Sequence, residues 1–552
     1  MLNVRSVRGK SKTKALMAGV LSTVMLLGVG VQSSFAAEQP KIEAQNVIIL
    51  IPDGMGMDGT TLTRWYNGGK PLAMDEMASG LVRTYSADAA IADSAPAGTA
   101  FATGHKSHTG YVGVLPDQNT MPGLQKIAES DQKKPVANIL EAARLSGKST
   151  GIIATSEIMH ATPAAFSAHY PDRGNYDALS KQQVYAGIDV VLGGGAKYFT
   201  AKERKDGENL QSIIQNLGYD IVRNPAEMKA SASDKLWGMF AEGAMSYDMD
   251  RDPKKQPSLA EMTSKAIDVL DRNEKGFFLM VEGSKVDWAA HANDPIGIIS
   301  DVNAFDKAVG EALEFAKADG NTMVIAVTDH ANGGISIGDR ATTGTYDTEP
   351  LSTFTAPLLK AKLTAEGVEA KLITPRTNAN IKQVVAQYYG INNLTNKEVE
   401  SIRRAEKGKL NSVLGPMISE RAHIGWTSGG HTGGDVVLYS YAPNGQKLSG
   451  LLENTDIARE MASALGLDLD AVSKQLFVSA EEAFKMKGAQ IKTDNSDVKN
   501  PVLVVTKGSN TLRLPMFKSI ASLNGKSVQL NGNIVYNGKQ FFVPQDAVDL
   551  FP

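Results

Sequence analysis

The chain has 552 residues, 42% of them apolar and 21% charged, with a formal net charge of −3. That length can bury a large core, and the weak acidity gives no reason to expect nucleic acid or an anionic membrane as a partner. There are no cysteines, so disulfides and thiolate metal sites are excluded, and any metal must be held by Asp, Glu, His and hydroxyl groups.

Arg5, Arg8, Lys10, Lys12 and Lys14 precede an apolar stretch from Ala15 to Val31, and small residues follow at Ser33-Ser34-Phe35-Ala36-Ala37. This pattern predicts a secretory signal peptide over residues 1–37, cleaved near Ala36 or Ala37. The apolar stretch is short and contains glycine, which argues against a retained membrane span. The mature form loses five positive charges, reaching a net charge of −8, and is expected to be secreted or associated with the cell envelope.

From Gln45 to about Gln475, β-like apolar runs alternate with helical patterns. The alternation predicts an α/β fold over residues 45–475: a doubly wound, mostly parallel central sheet with helices on both faces. The first run, Asn46 to Ile51, delivers Asp53. Next, Asp93-Ser94-Ala-Pro96 marks a helix start. Ser94 there is either a plain N-cap or a hydroxyl at a positive helix end suited to phosphate, which an adjacent cation would turn into a nucleophile. A helix is predicted from Pro135 to Ser146 and a strand from Ser149 to Ala154. His160-Ala-Thr162 and then Arg173 follow; Thr162 offers a hydroxyl to a hard cation, and Arg173 offers a planar fork for phosphoryl oxygens.

A helix from Leu259 to Asn273 precedes the run Phe277 to Val281, beyond which lies Asp287-Trp288-Ala-Ala-His291. On a helix, Asp287 and His291 face the same way. The run Thr322 to Thr328 delivers Asp329-His330. About a hundred residues then show weaker alternation, with a helix-like stretch from Asn393 to Glu406; residues 331–425 are read as a crown-like insertion over the strand ends. Gly429-Gly-His431-Thr-Gly-Gly precedes the run Val436 to Tyr441, and Ile457 to Leu465 reads as the closing helix. Composition changes near Lys485, and Asp494 to Pro501 reads as a polar linker. Residues 486–552 are expected to form a small β-rich accessory domain, with turns at Asn531-Gly-Asn533 and Tyr536-Asn-Gly-Lys539.

Short buried strands that each bring Asp or His to one sheet edge are how an α/β protein assembles a multinuclear metal site. Each group alone is a weak signal; four in one chain are not. His160, His291, His330 and His431 occupy positions suited to a site, whereas His105, His108, His169 and His423 read as ordinary loop residues or as residues behind the ligands.

Six strings in order resemble alkaline phosphatases: Ile51-Pro-Asp53-Gly-Met-Gly, Asp93-Ser94-Ala-Pro-Ala-Gly-Thr-Ala, His160-Ala-Thr162-Pro-Ala-Ala, Val281-Glu282-Gly-Ser-Lys-Val-Asp287, Thr328-Asp329-His330 and Gly430-His431-Thr-Gly. They span about Asn46 to Leu465. The resemblance implies two zinc ions and one magnesium. Asp287, His291 and His431 would hold the first zinc, Asp329, His330 and Asp53 the second, and Asp53, Thr162 and Glu282 the third ion. It implies Ser94 as nucleophile and Arg173 as phosphate clamp, releasing inorganic phosphate from small phosphomonoesters through a phosphoserine at alkaline pH. His160 stands where some members have Asp, which leaves the third metal's identity open. Trp288 stands where some have Lys, which implies weaker product binding; both are read as lying beside the substrate or behind the ligands.

A phosphodiesterase or sulfatase of the same architecture is a rival reading, although Ser94 lacks the sulfatase C/S-x-P-x-R context. Another is a surface-binding protein that recognises its target through residues 486–552. The C-terminal segment resembles, with low specificity, the β-rich domains appended to bacterial surface enzymes, including those named for copper amine oxidase N-termini. The resemblance allows a homodimer and attachment to the cell surface through that segment, while a mere stability appendage is an equally good reading of it.

Overall fold

Ten strands make the central sheet of the computed structural model, which describes residues 41–552; the expected signal peptide lies outside the described residues. In chain order they are β1 (Asn46–Ile51), β2 (Ala78–Arg83), β3 (Ser149–Glu157), β4 (Val190–Gly194), β5 (Asp220–Val222), β6 (Leu236–Met239), β7 (Phe277–Glu282), β8 (Thr322–Val327), β9 (Val436–Tyr441) and β10 (Gly450–Glu453). Their spatial order is β10-β2-β9-β8-β1-β7-β3-β4-β6-β5. Only β9 runs against its neighbours, pairing antiparallel with both β8 and β2. The sheet is therefore mostly parallel, as the alternation predicts.

Helices cover both faces, and β1 shows why its sequence is a continuous apolar run. Ile48 and Leu50 point into one core with Leu259, Met262, Val302 and Phe305, whereas Val47, Ile49 and Ile51 point into the other with Ile139, Leu140, Phe166 and Leu179. A strand buried on both sides has no polar face to alternate with. The helices that matter for the site are α1 (Ser94–Thr103), α2 (Ile139–Leu145), α3 (Ala161–Ala165), α4 (Tyr176–Tyr185), α5 (Leu259–Leu270), α6 (Lys285–His291) and α7 (Pro295–Asp319). The helix expected from Pro135 starts later, at Ile139, because Asn138 and Glu141 cap each other's backbone N–H groups there.

Between His330 and His431 lie four helices of seven residues or more, α8 (Ala365–Lys371), α9 (Asn378–Tyr388), α10 (Asn396–Arg404) and α11 (Asn411–Arg421). Their apolar residues, including Val368, Val385, Ile402 and Leu414, join the core shared with α5 and α7. The segment leaves and re-enters the body through a two-residue antiparallel pairing, Asn332 opposite His431 and Ala331 opposite Thr432. After α12 (Asn454–Ala464), helix α13 (Ala480–Met486) opens a separate core of Phe484, Leu503, Leu512, Leu514, Val543 and Phe551. Around it fold five antiparallel strands in sequence order, β11 (Gln490–Asp494), β12 (Val502–Lys507), β13 (Asn510–Pro515), β14 (Ile520–Leu523) and β15 (Lys526–Gln529). The polar stretch ending at Pro501 thus joins two neighbours of one sheet, where the sequence suggested a linker between domains. Among the described residues no helix is long and apolar enough to cross a membrane.

Candidate metal centre and active site

Parallel strands end on the same edge, and four neighbours, β8, β1, β7 and β3, bring their following residues to one place. Asp53 lies two residues past β1, Glu282 is the last residue of β7 and pairs in register with Ile51, Asp329 lies two residues past β8, and His160 follows β3. Gly54 lets the chain turn there with φ of 70°; a Cβ on it would sit 2.6 Å from Asp287 Oδ1. Asp287 and His291 share one side of α6, with His291 Nε2 3.4 Å from Asp287 Oδ2.

Asp53, Asp329 and His330 place one potential ligand atom each within 4.8 Å of one another, as do Asp53, His160 and Glu282, and as do Asp287, His330 and His431. His291 joins the last group through Nε2, 3.2 Å from Nε2 of His431. The sequence set His160 beside the substrate or behind the ligands; the structure brings it into ligand range of Asp53 and Glu282. Thr162 lies at the start of α3, its hydroxyl buried without a hydrogen-bond partner.

The donors fit divalent cations. Both carboxylate oxygens of Asp53, one of Glu282, one of Asp329, and Thr162 Oγ1 are buried with no hydrogen-bond partner, a costly state for polar atoms left unliganded. The tautomers point the same way. His291 Nδ1 lies 2.8 Å from the carbonyl of Gly429, and His431 Nδ1 lies 2.8 Å from that of Ala92. A carbonyl only accepts, so each Nδ1 carries the proton and each Nε2 presents a lone pair. Those two lone pairs face each other and the Asp287 carboxylate, 3.4 and 3.6 Å away. A cation relieves that repulsion.

Electrostatics agree. Burial, and then Asp329, Asp287 and Glu282, push the Asp53 carboxyl well above its ordinary range; burial pushes Glu282 up to about 8. Burial raises Asp329, but His330, the Gly54 N–H and His431 together outweigh it and hold that carboxyl far below the usual range. Burial and then Arg173 push His160 down to about 3, so its neutral Nε2 accepts from Arg173 Nη2 at 3.2 Å.

Ser94 is the first residue of α1 and 3% exposed. Its Oγ lies 3.2 Å from His330 Nε2. The N-cap is Asp93, not Ser94: the Asp93 carboxylate accepts from the N–H groups of Ala95 and Gly110 and also pairs with Arg173. Trp288 flanks the site, its ring 6.0 Å from that of His160 and 5.0 Å from Lys285 Nζ. Sequence reasoning assigned no role to Asp93, nor to Asn332, which donates to Asp287 Oδ1 at 2.6 Å, nor to Ser156, which donates to Glu282 Oε2 at 3.3 Å. Asp93 was visible inside the Asp93-Ser94 string; the other two carry no local signal. The four histidines set aside as ordinary pair elsewhere, with Asp470, Asp88, Glu141 and Asp339.

A mostly parallel sheet whose strand ends gather carboxylates and imidazoles around one buried hydroxyl defines a class, the metal-dependent hydrolases of α/β fold. The family model for alkaline phosphatase matches residues 44–467. Alkaline phosphatase 4 of Bacillus subtilis (strain 168) is 38% identical over 476 residues, 81% of this chain and 95% of that protein. The alkaline phosphatase of Escherichia coli (strain K12) is 30% identical over 482 residues, covering 77% and 86%. The crystal structure of the Thermus thermophilus alkaline phosphatase matches with a TM-score of 0.70 at 28% identity, covering 80% of this chain and 96% of that one. The chain belongs to the alkaline phosphatase family and is a phosphoric monoester hydrolase.

Proposed function

We infer that the chain is an exported phosphomonoesterase working at alkaline pH through a phosphoserine on Ser94, with two zinc ions and one magnesium as cofactors. The observation that carries this reading is Ser94 Oγ at 3.2 Å from His330, among buried donors that lack partners. Asp287, His291 and His431 would hold one zinc, Asp53, Asp329 and His330 the other, and Asp53, Thr162 and Glu282, with His160 in reach, the third ion. Bound there, the ions would supply positive charge for the phosphoryl oxygens and lower the pKa of an oxygen nucleophile. A magnesium third site is favoured by the oxygen donors of Asp53, Thr162 and Glu282, which suit a hard cation.

In the first step Ser94 Oγ forms a bond to phosphorus, the ester P–O bond breaks and the alcohol departs. In the second, water attacks phosphorus and the bond to Ser94 Oγ breaks, freeing inorganic phosphate. Arg173 holds the phosphoryl group between these steps. Its guanidinium has five N–H donors; Asp93 and His160 each engage one nitrogen of the fork, which aims the rest. Protons compete with cations for Asp53 and Glu282, whose carboxyls sit high, so alkaline solution favours the loaded site. Export rests on the basic, apolar and small-residue order of residues 1–37.

Turnover of the mono- and diesters of one phenol, with metal analysis of the same preparation, tests the reading. The monoester should be strongly preferred and zinc and magnesium recovered; preference for the diester would favour the phosphodiesterase reading instead.

Trp288 brings no charge toward phosphate. Trp288→Lys should lower the inhibition constant for inorganic phosphate about 5-fold, the ~1 kcal/mol of a partly screened ion pair, with Lys285 nearby limiting the gain. An unchanged constant would show that position 288 does not reach the product.

A further inference from the structure

Arg173 sits on the connection between α3 and α4, and that connection is held from two sides. On the catalytic side, Tyr170 exchanges backbone hydrogen bonds with Val112 at 2.8 and 2.9 Å, and Arg173 N–H donates to the Gly110 carbonyl at 2.8 Å. On the other side stands the C-terminal module. The Phe517 ring, buried, meets the Tyr170 ring edge to face at 5.6 Å, three residues before Arg173. Asn533 Nδ2 donates to the Gln182 carbonyl at 2.9 Å, and the Gln182 side chain in turn bonds both the N–H and the carbonyl of His169, at 3.0 and 3.1 Å. Ser519 Oγ donates to the Tyr185 carbonyl at 2.8 Å. Buried Lys181 on α4 donates to Asn500 Oδ1 at 2.7 Å and pairs with Asp206 at 2.8 Å, while Lys518 reaches Glu208 at 2.9 Å.

These contacts fall on the residues before and after Arg173 and along the C-terminal half of α4. Asp93 and His160 aim the Arg173 fork, but the backbone that carries it is held on the catalytic side by only these three hydrogen bonds to a loop. Phe517 adopts a left-handed backbone, φ 64°, which is costly for an aromatic residue. We propose that the C-terminal module is a brace for the phosphate clamp, with Phe517 and Asn533 as positioning residues that act on Arg173 through Tyr170 and Gln182. This rests on Arg173 binding the phosphoryl group, and it gives residues 486–552 a part in catalysis in place of attachment or bulk stability.

The test is a mutant cycle in the full-length, metal-loaded enzyme, reading the inhibition constant for inorganic phosphate, kcat/KM for a monoester and bound metal. Phe517→Ala should raise the phosphate constant on the order of 3- to 10-fold, within the range coupled neighbours show, and leave the metal content unchanged. Phe517→Leu, which keeps an apolar contact, should recover part of the loss. In an Arg173→Ala background the same Phe517→Ala change should have no further effect. Equal losses in both backgrounds, an unchanged constant, or loss of metal would overturn the brace. If Arg173→Ala alone leaves the phosphate constant unchanged, the clamp assignment itself fails, which is a separate result. Should Phe517→Ala not accumulate as folded protein, Asn533→Ala, which removes one hydrogen bond, carries the same cycle with the same outcomes.

Discussion

Ser94→Ala is expected to abolish phosphoenzyme and cut kcat for a monoester by roughly 10⁴–10⁶-fold, the scale of losing a covalent nucleophile. The hydroxyl at risk is buried and 3.2 Å from His330 Nε2. The fold should not notice the change, because the cap of α1 belongs to Asp93; the ~1 kcal/mol a lost N-cap costs does not apply. Metal content and melting temperature should therefore match the parent, leaving activity as the quantity that moves. Acid quenching with a 32P-labelled monoester reads the covalent step directly. Label retained on the alanine variant would mean that another residue carries the phosphoryl group. Full turnover without label would mean that water attacks the ester in a single step. Residual slow hydrolysis is compatible with the assignment, since the donors that bind phosphate remain in place.

The parts of the fold that were legible are those buried on both sides. Asn46–Ile51 and Val436–Tyr441 read as strands to the residue, because a strand inside the sheet is apolar along most of its length. The edge strands Asp220–Val222 and Gly450–Glu453 are three and four residues long, and half-exposed; nothing in such short pieces separates them from loop. Helix starts were overextended where a cap decides them, as at Asn138, although the Asn-x-x-Glu spacing was present to be read. At the site, residues that donate to a cation from a strand end were legible, since position and residue type coincide. Asn332 and Ser156 were not, because each acts through hydrogen bonds to a residue 45 or 126 positions away. His160 was read beside the substrate or behind the ligands because it stands where some family members have Asp; the fold brings it within ligand range of Asp53 and Glu282.

Asp53→Asn should have opposite effects on the loaded and the metal-free protein. Asp53 belongs to two of the three donor clusters, so its loss should weaken two sites at once. The drop in affinity should exceed the ~10–100-fold that follows loss of a residue merely supporting a ligand, and metal analysis should show both sites depleted and turnover near background. Without metal, the parent carboxylate is a liability: it is fully buried, neither oxygen has a hydrogen-bond partner, and Asp329, Asp287 and Glu282 crowd it. Its folded pKa stands well above the ordinary 3.8, so folding favours its protonated form. The sign follows: stability is lost as pH rises above the unfolded value toward the folded one, and Glu282, raised from 4.5 to about 8, adds to the same trend. Asparagine removes the Asp53 share. The chelated Asp53→Asn protein should thus be more stable than the chelated parent by about 1–3 kcal/mol, the cost of an unsatisfied buried group, with the gap widening from acid toward alkaline pH. Melting curves with and without chelator across that range decide it. A chelated variant that melts below the chelated parent would mean that Asp53 is stabilised by its surroundings as an anion, and the case for a cation there would lose its physical basis.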